Sequence, residues 1–167
     1  MDPRDGPRLP SVSVMTTVET VPAPSLRMEL GRVRPKWYRA MAELDRAASE
    51  GMDPALAELV KIRVSQINGC AYCLDMHTRT ARDQGEQERR IYALPAWRET
   101  PFFTARERAA LALTEAVTLV TDGHVPDDVY DEAALSLDEE ELAQVLAMAI
   151  TYNAWTRIGV STRMSPA

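Results

Sequence analysis

Apolar residues along most of the chain repeat with the three- and four-residue spacing typical of one face of an α-helix. No stretch shows the sustained alternation of apolar and polar residues that is typical of a strand. The spacing therefore predicts an all-α protein, a helical bundle of six or seven helices with no significant β-sheet. The clearest apolar faces are Trp37, Met41, Leu44 and Ala48, then Leu56, Val60, Val64 and Ile67, and then Ala109, Leu113, Ala116 and Val120.

Residues that favour helix ends divide these faces into separate elements. Ser, Thr and Asp side chains accept hydrogen bonds from the first free backbone N–H groups of a helix, and a Glu three residues later completes a capping box. The last helix is expected to end near Ile158, before Gly159. The predicted helix starts are Asp53 before Pro54, Thr104 with Glu107 in one capping box, and Ser136 with Glu139 in a second.

The N-terminal region differs from the rest of the chain. Five of the 11 prolines fall within the first 24 residues, and no helical periodicity accompanies them. Since proline interrupts helices and strands alike, we predict a flexible N-terminal arm over residues 1–25. Residues 26–167 are then a single all-helical domain.

Composition narrows the classes of protein that remain. Apolar residues make up 46% of the chain and charged residues 26%, which is enough for a sizeable core and an ordinary surface. The net charge of −6 argues against a nucleic-acid partner. There is no run of ~18 apolar residues and no secretory signal pattern, so we expect no membrane partner and a cytoplasmic protein.

Candidate chemistry is concentrated around the only two cysteines, Cys70 and Cys73. His77 follows Cys73 by four residues, so both thiols and the imidazole are expected on one face of a helix. Glu58 lies on the preceding predicted helix and can approach His77 if the two helices fold back around Asn68-Gly69. A nucleophile, a base and a carboxylate that orients the base would then lie together.

Two thiols three residues apart in a helix can form a disulfide and support a redox cycle. A thiolate attacks an oxidant and becomes a sulfenic acid, with which the second thiol condenses. The start of the helix favours Cys70 as the thiol of lower pKa. Proximity to His77 favours Cys73, and the sequence alone leaves this choice open.

The stretch from Glu58 to Gly85 resembles the core motif of the alkylhydroperoxidase D-like (AhpD-like) branch of the carboxymuconolactone decarboxylase family. The shared pattern is a Glu twelve residues before Cys-x-x-Cys and a His four residues after it. The resemblance covers about residues 35 to 100, and the run Asn153-Ala154-Trp155-Thr156-Arg157 is also similar to family members. It implies an all-helical fold that assembles as a homotrimer or homohexamer.

The resemblance also implies a thiol peroxidase that reduces organic hydroperoxides in antioxidant defence. Cys73 would be the peroxidatic cysteine, Cys70 its resolving partner and proton donor, and Glu58 and His77 a proton relay. Tyr72 stands where well-characterised AhpD enzymes carry a second His. A dithiol or a lipoylated protein is the expected reductant, and no cofactor is expected.

Other interpretations of the same residues remain open at this stage. The two cysteines, His77 and Glu58 could bind zinc, for which thiolate and imidazole are preferred ligands. A decarboxylase-type enzyme could use His77 and Glu58 as acid and base without thiol redox chemistry. A redox-sensing protein could use the disulfide as a switch. The weaker pocket candidates are Tyr72, Asn153 and Arg157, whereas Trp155 is expected in the core.

Overall fold

The computed structural model describes residues 21–166, so most of the predicted arm lies outside the described residues. Within them the chain forms eight α-helices and one 3-10 helix without any strand, which confirms the all-α fold class. The helix count exceeds the prediction because the first helix is too short to show a periodicity. The helices are α1 (Leu30–Val33), α2 (Pro35–Ser49), α3 (Pro54–Asn68), α4 (Ala71–Asp83), α5 (Glu88–Ala93), α6 (Ala105–Thr118), α7 (Asp127–Ser136) and α8 (Glu139–Thr162), with the 3-10 helix at Leu94–Glu99 between α5 and α6.

Helix α3 is the centre of the bundle and packs against α4, α6 and α8. Its sequence explains this position, because apolar residues occur on nearly every side of the helix. Leu59, Val60, Ile62 and Val64 are all fully buried. A helix that is apolar all round is stable only when neighbouring helices surround it. The same burial places the polar side chain of Glu58 inside the protein.

A smaller apolar cluster lies under α5 and the 3-10 helix and includes Trp97 and Phe103. Glu115 on α6 ties this region to the bundle. Its Oε1 accepts hydrogen bonds from Trp97 Nε1 at 2.8 Å and from Arg63 Nε at 2.7 Å. Arg98 pairs with the other carboxylate oxygen. This network links α3, the 3-10 helix and α6.

Two of the three predicted helix starts are confirmed. The Asp53 side chain caps α3 by accepting from the Ala55 N–H at 3.0 Å, and Thr104 caps α6 in a capping box with Glu107. The predicted second box at Ser136 is wrong. Ser136 is the last residue of α7, and the box ahead of α8 is formed by Asp138 and Glu141.

The predicted end of the last helix is also wrong. Helix α8 continues through Gly159 to Thr162 and ends at Arg163 in a left-handed conformation, with φ of 58°. Gly159 is therefore a residue inside a helix, where a glycine lowers helix stability unless close packing requires it. Helix α6 ends at Thr118, earlier than its apolar spacing indicates, so Val120 lies outside it and is exposed.

The apolar face predicted for α2 is only half covered. Met41 and Ala48 are buried against the rest of the bundle, but Trp37 and Leu44 are 44% and 48% exposed. Helix α2 packs mainly on α8, and one neighbouring helix cannot cover the whole width of an apolar face. Two large apolar side chains of α2 therefore remain on the surface of the single chain.

The segment before α1 runs over the end of α8. The backbone N–H of Arg27 donates to the carbonyl of Thr162 at 2.8 Å, and its guanidinium donates to the carbonyl of Ser161 at 3.3 Å. Leu26 and Met28 on either side are about half exposed. Across residues 21–166, none of the helices combines the length and apolar character required to cross a membrane.

Candidate active site

The turn between α3 and α4 places the first cysteine at a helix start. Gly69 has a left-handed backbone with φ of 66°, which ends α3 and favours a glycine there. Cys70 is the N-cap residue of α4, and its Sγ accepts from the backbone N–H of Cys73 at 3.4 Å. The Cys70 thiol therefore lies at the positive end of the helix dipole, where a thiolate is stabilised.

The same turn folds α4 back along α3 and brings Glu58 to His77. Glu58 Oε2 lies 2.9 Å from His77 Nδ1, and Glu58 Oε1 accepts from Lys61 Nζ at 2.9 Å. Burial alone would raise the pKa of Glu58, but the hydrogen bonds from His77 and Lys61 outweigh it and lower the pKa below its ordinary value. An ionised carboxylate only accepts, so His77 Nδ1 donates and Nε2 is left as an acceptor.

The two thiols are free and influence each other strongly. A hydrogen bond from the Cys73 thiol lowers the pKa of Cys70 to about 7, against the opposing effect of burial, and backbone N–H groups add to the shift. The same hydrogen bond, burial and the neighbouring charge of Cys70 raise the pKa of Cys73 well above its usual range. Of the two thiols, Cys70 is therefore the one that ionises first.

Cys73 and His77 open into a pocket of about 180 Å³ between α2, α4 and α8. Its wall is largely aromatic, with Tyr72 on α4 and further aromatic residues from the two other helices. Cys70 is not part of this wall and instead lines a separate groove of about 400 Å³ beside Gly159 and Arg163. The other residues around the pocket are Tyr38, Asp45, Met76, Tyr152, Trp155 and Met164.

Three buried polar atoms of residues 21–166 have no hydrogen-bond partner, and all three belong to residues of this pocket. They are Asp45 Oδ1, His77 Nε2 and Trp155 Nε1. Burial raises the pKa of Tyr152 above its usual range, and the negative charges of Asp45 and Glu58 add to the effect, so the phenol is neutral. The residues around the pocket thus combine aromatic rings with three buried polar atoms that lack a partner.

Gly159 explains how α8 approaches the cysteines. A Cβ atom at this position would lie 2.8 Å from Cys70 Sγ and 3.6 Å from Cys73 Sγ. The first distance is too short for two non-bonded atoms. The absence of a side chain at Gly159 therefore leaves the space that the Cys70 sulfur occupies.

Not all residues proposed from the sequence line the pocket. Tyr72 does, but Asn153 and Arg157 belong to a network that holds the turn before α4. The Asn153 carboxamide oxygen accepts from Asn68 Nδ2 at 2.9 Å and from Arg157 at 2.7 Å. Since Asn68 immediately precedes the turn, these two residues support the position of Cys70 indirectly.

The sequence analysis missed Asp45 and expected Trp155 in the core. Asp45 carries a recognisable signal, because it falls on the buried side of α2 between Met41 and Ala48 in helical spacing. An acidic residue on an apolar face is unusual unless it serves a site. Among residues 21–166, no cluster of three or more His, Cys, Asp or Glu side chains is arranged to hold a metal ion.

Comparison with known proteins agrees with this arrangement. The model of the carboxymuconolactone decarboxylase family matches residues 35–116. The chain is 38% identical over 138 residues to the uncharacterized protein YdfG of Bacillus subtilis, covering 82% of this chain and 94% of that protein.

Two solved structures are similar in fold. The first is a protein of unknown function from Agrobacterium tumefaciens, proposed to be the antioxidant defence protein AhpD, with a TM-score of 0.83 and 32% identity over 86% of this chain and 99% of that one. The second is an uncharacterized peroxidase-related protein with an alkylhydroperoxidase AhpD core from Ralstonia eutropha. It has a TM-score of 0.71 and 18% identity over 82% of this chain and 74% of that one, and so shows the fold alone. The chain belongs to the carboxymuconolactone decarboxylase family, as an AhpD-like member.

Proposed function

We propose that the protein is a thiol-dependent peroxidase that reduces organic hydroperoxides through Cys70 and Cys73. One observation carries the proposal: Cys73 shares a small pocket with His77 and lies beside Cys70, whose Sγ accepts from the Cys73 backbone N–H. A dithiol at this separation can store the two electrons that a hydroperoxide requires. The AhpD-like relatives support a peroxidase-related role.

The first half of the cycle oxidises Cys73, the thiol that faces the pocket. Because Cys73 and not Cys70 lines the pocket, Cys73 gives its proton to the Cys70 thiolate, against the order of the two pKa values, before its sulfur acts as the nucleophile. Its sulfur attacks the terminal oxygen of ROOH, so that an S–O bond forms and the O–O bond breaks. Cys73 becomes a sulfenic acid, and the leaving RO⁻ takes the proton from Cys70 to give the alcohol.

The second half forms and then reduces the disulfide. The Cys70 thiolate attacks the Cys73 sulfenic acid and expels hydroxide, which becomes water with a proton that solvent supplies through His77. Glu58 holds His77 in the tautomer that leaves Nε2 free for this transfer. A thiol reductant, either a dithiol or a lipoylated protein in a reducing cytoplasm, then returns both cysteines to the thiol state by exchange.

The alternatives use fewer of the observed features. An acid–base enzyme of the decarboxylase type would use Glu58 and His77 but has no need for the second thiol. A redox sensor would use the disulfide without turnover, and a zinc site would use the thiolates as ligands. Hydroperoxide turnover distinguishes the peroxidase from all three.

We also infer that the protein forms a homo-oligomer, a trimer or a hexamer as the AhpD-like resemblance implies. The large exposed side chains Trp37 and Leu44 on α2 support an association surface. Size-exclusion chromatography with light scattering measures the mass directly. A monomer at micromolar concentration would contradict this inference without affecting the peroxidase proposal.

Intact-mass measurement of the reduced full-length protein tests the function. One equivalent of cumene hydroperoxide should remove two hydrogens from the wild type within the mixing time and none from Cys73→Ser. Cys70→Ser is the matched variant: without the Cys70 base its Cys73 should oxidise more slowly, and the sulfenic acid that does form cannot become a disulfide, so dimedone traps it. Wild-type thiols that oxidise no faster than free cysteine would contradict the proposal.

A further inference from the structure

Three residues that line the pocket beside Cys73 each carry a buried polar atom without a partner, and a hydroperoxide has the groups to pair two of these atoms. A buried polar atom without a partner costs stability, about 1–3 kcal/mol in general. Most such atoms in proteins are paired, so three on residues of one pocket favour a ligand that pairs at least two of them. Trp155 Nε1–H is only a donor, Asp45 Oδ1 only an acceptor, and His77 Nε2 is the acceptor left by the bond to Glu58.

A hydroperoxide group, R–O–O–H, carries one donor and two acceptor oxygens. We propose that Trp155 is a catalytic residue whose indole N–H donates to the departing oxygen of the substrate, while His77 Nε2 accepts from its terminal O–H. We further propose that Asp45 restricts the pocket to compact hydroperoxides without a negative charge. The proposal rests on the peroxidase function, because it assigns the substrate class and a further catalytic residue of the same site.

Trp155 is held firmly enough to act as a directed donor. Its ring packs edge-to-face on Tyr38, with the ring centroids 5.2 Å apart. The same ring packs against the main apolar core of the bundle. When Cys73 attacks, the O–O bond breaks and negative charge develops on the oxygen that leaves as RO⁻. A fixed N–H in a pocket of low polarity stabilises such a charge more than water would.

Size and charge set the substrate class. A cavity of ~150 Å³ accommodates one benzene ring in another protein, and this pocket measures about 180 Å³. It has room for a single ring or a short branched alkyl group beside the reacting oxygens. The Asp45 carboxylate borders the pocket, and the nearby ammonium of Lys61 is already paired with Glu58. A substrate carboxylate would therefore meet a negative charge without a free cation to offset it.

Stopped-flow oxidation of the reduced full-length protein tests the role of Trp155. Trp155→Phe should slow the reaction with cumene hydroperoxide about 10- to 100-fold, as expected for a lost hydrogen bond to a developing charge. The reaction of Trp155→Phe with peracetic acid should slow less than about threefold, because the acetate that leaves needs little stabilisation. Tyr130→Phe changes an exposed aromatic residue of α7 that does not line the pocket and is the control. Equal slowing with both oxidants would overturn the catalytic role of Trp155.

The charge restriction has its own measurement. Cumene hydroperoxide is compared with its para-carboxylate, and the ratio of their rate constants is taken for each protein. Asp45→Asn should raise the relative rate of the carboxylate at least about fivefold, because the repelling charge is removed. An unchanged ratio would overturn the assignment of Asp45.

A binding measurement on the wild type covers the case in which Trp155→Phe fails to fold. The chain has three tryptophans, so ¹⁵N-labelled protein gives three indole N–H resonances. The reaction product cumyl alcohol should shift the Trp155 resonance and leave Trp37 and Trp97 in place, since Trp97 already donates to Glu115. If the Trp155 resonance does not move at millimolar cumyl alcohol, the inference about Trp155 is overturned and the proposed peroxidase function is not affected. A wild type that turns over no hydroperoxide overturns the proposed function instead.

Discussion

Gly159→Ala is the sharpest perturbation of the contact between α8 and the dithiol. The added methyl carbon would lie 2.8 Å from Cys70 Sγ, several tenths of an ångström closer than ordinary contact. Overpacking of this kind costs about 1–3 kcal/mol. Alanine is favoured over glycine inside a helix by about 1 kcal/mol, which acts in the opposite direction. We expect a net destabilisation of about 1 kcal/mol, where helix propensity alone predicts stabilisation.

Urea unfolding of the reduced protein measures this effect, and a double-mutant cycle assigns its cause. In a Cys70→Ala background the sulfur is absent, so Gly159→Ala should stabilise the protein by up to about 1 kcal/mol. The matched control is Gly31→Ala, whose Cβ would meet the Tyr38 ring at an ordinary 3.5 Å and should cost nothing. A coupling energy between positions 70 and 159 below about 0.5 kcal/mol would refute the reasoning.

Three further predictions concern stability, each checked by urea unfolding. The pKa of Cys70 is about 7 in the folded protein against an ordinary 9.0. The free energy of unfolding of the reduced protein should therefore increase as the pH rises from 7 to 9, and this gain should be lost as the pH falls back through 7. Cys70→Ala should show no such dependence between pH 7 and 9. Glu58→Ala should cost roughly 3 kcal/mol, because it leaves the partly buried Lys61 charge unpaired, and adding Lys61→Met should recover part of the loss. Glu115→Ala should cost about 1–3 kcal/mol by removing the shared acceptor, whereas exposed Arg98→Ala should cost less than about 1 kcal/mol.

Local features of the fold could be predicted from the sequence because they depend on residues three or four apart. The capping box at Thr104 is complete within one turn and was predicted correctly. Which side of a helix another element covers is a tertiary property, so the apolar face that includes Trp37 could be predicted but the exposure of Trp37 could not. Gly159 shows the same limit, since a glycine near the end of an apolar face can terminate a helix or permit close packing.

The candidate site also has one part that the sequence could predict and one part that it could not. The geometry that joins Glu58 to His77 follows from spacing on two consecutive helices and one tight turn. The opposite wall of the pocket comes from α2 and α8, which are distant in sequence from α4. Nothing in the local pattern around Asp45 or Trp155 relates either residue to Cys73. Only the packing of α2 on α8 brings these side chains to the thiols.

The contact between the segment before α1 and the end of α8 affects the kinetics of access to Cys70. Pro24 and the residues after α8 border the groove that reaches this thiol. Arg27 secures the segment through two hydrogen bonds, and its flanking side chains are half exposed. Such a segment opens by local unfolding at a free energy far below that of global unfolding. The groove at Cys70 can therefore widen and close many times while the helical bundle stays folded, and hydrogen exchange at the Arg27 amide reports how often it does so.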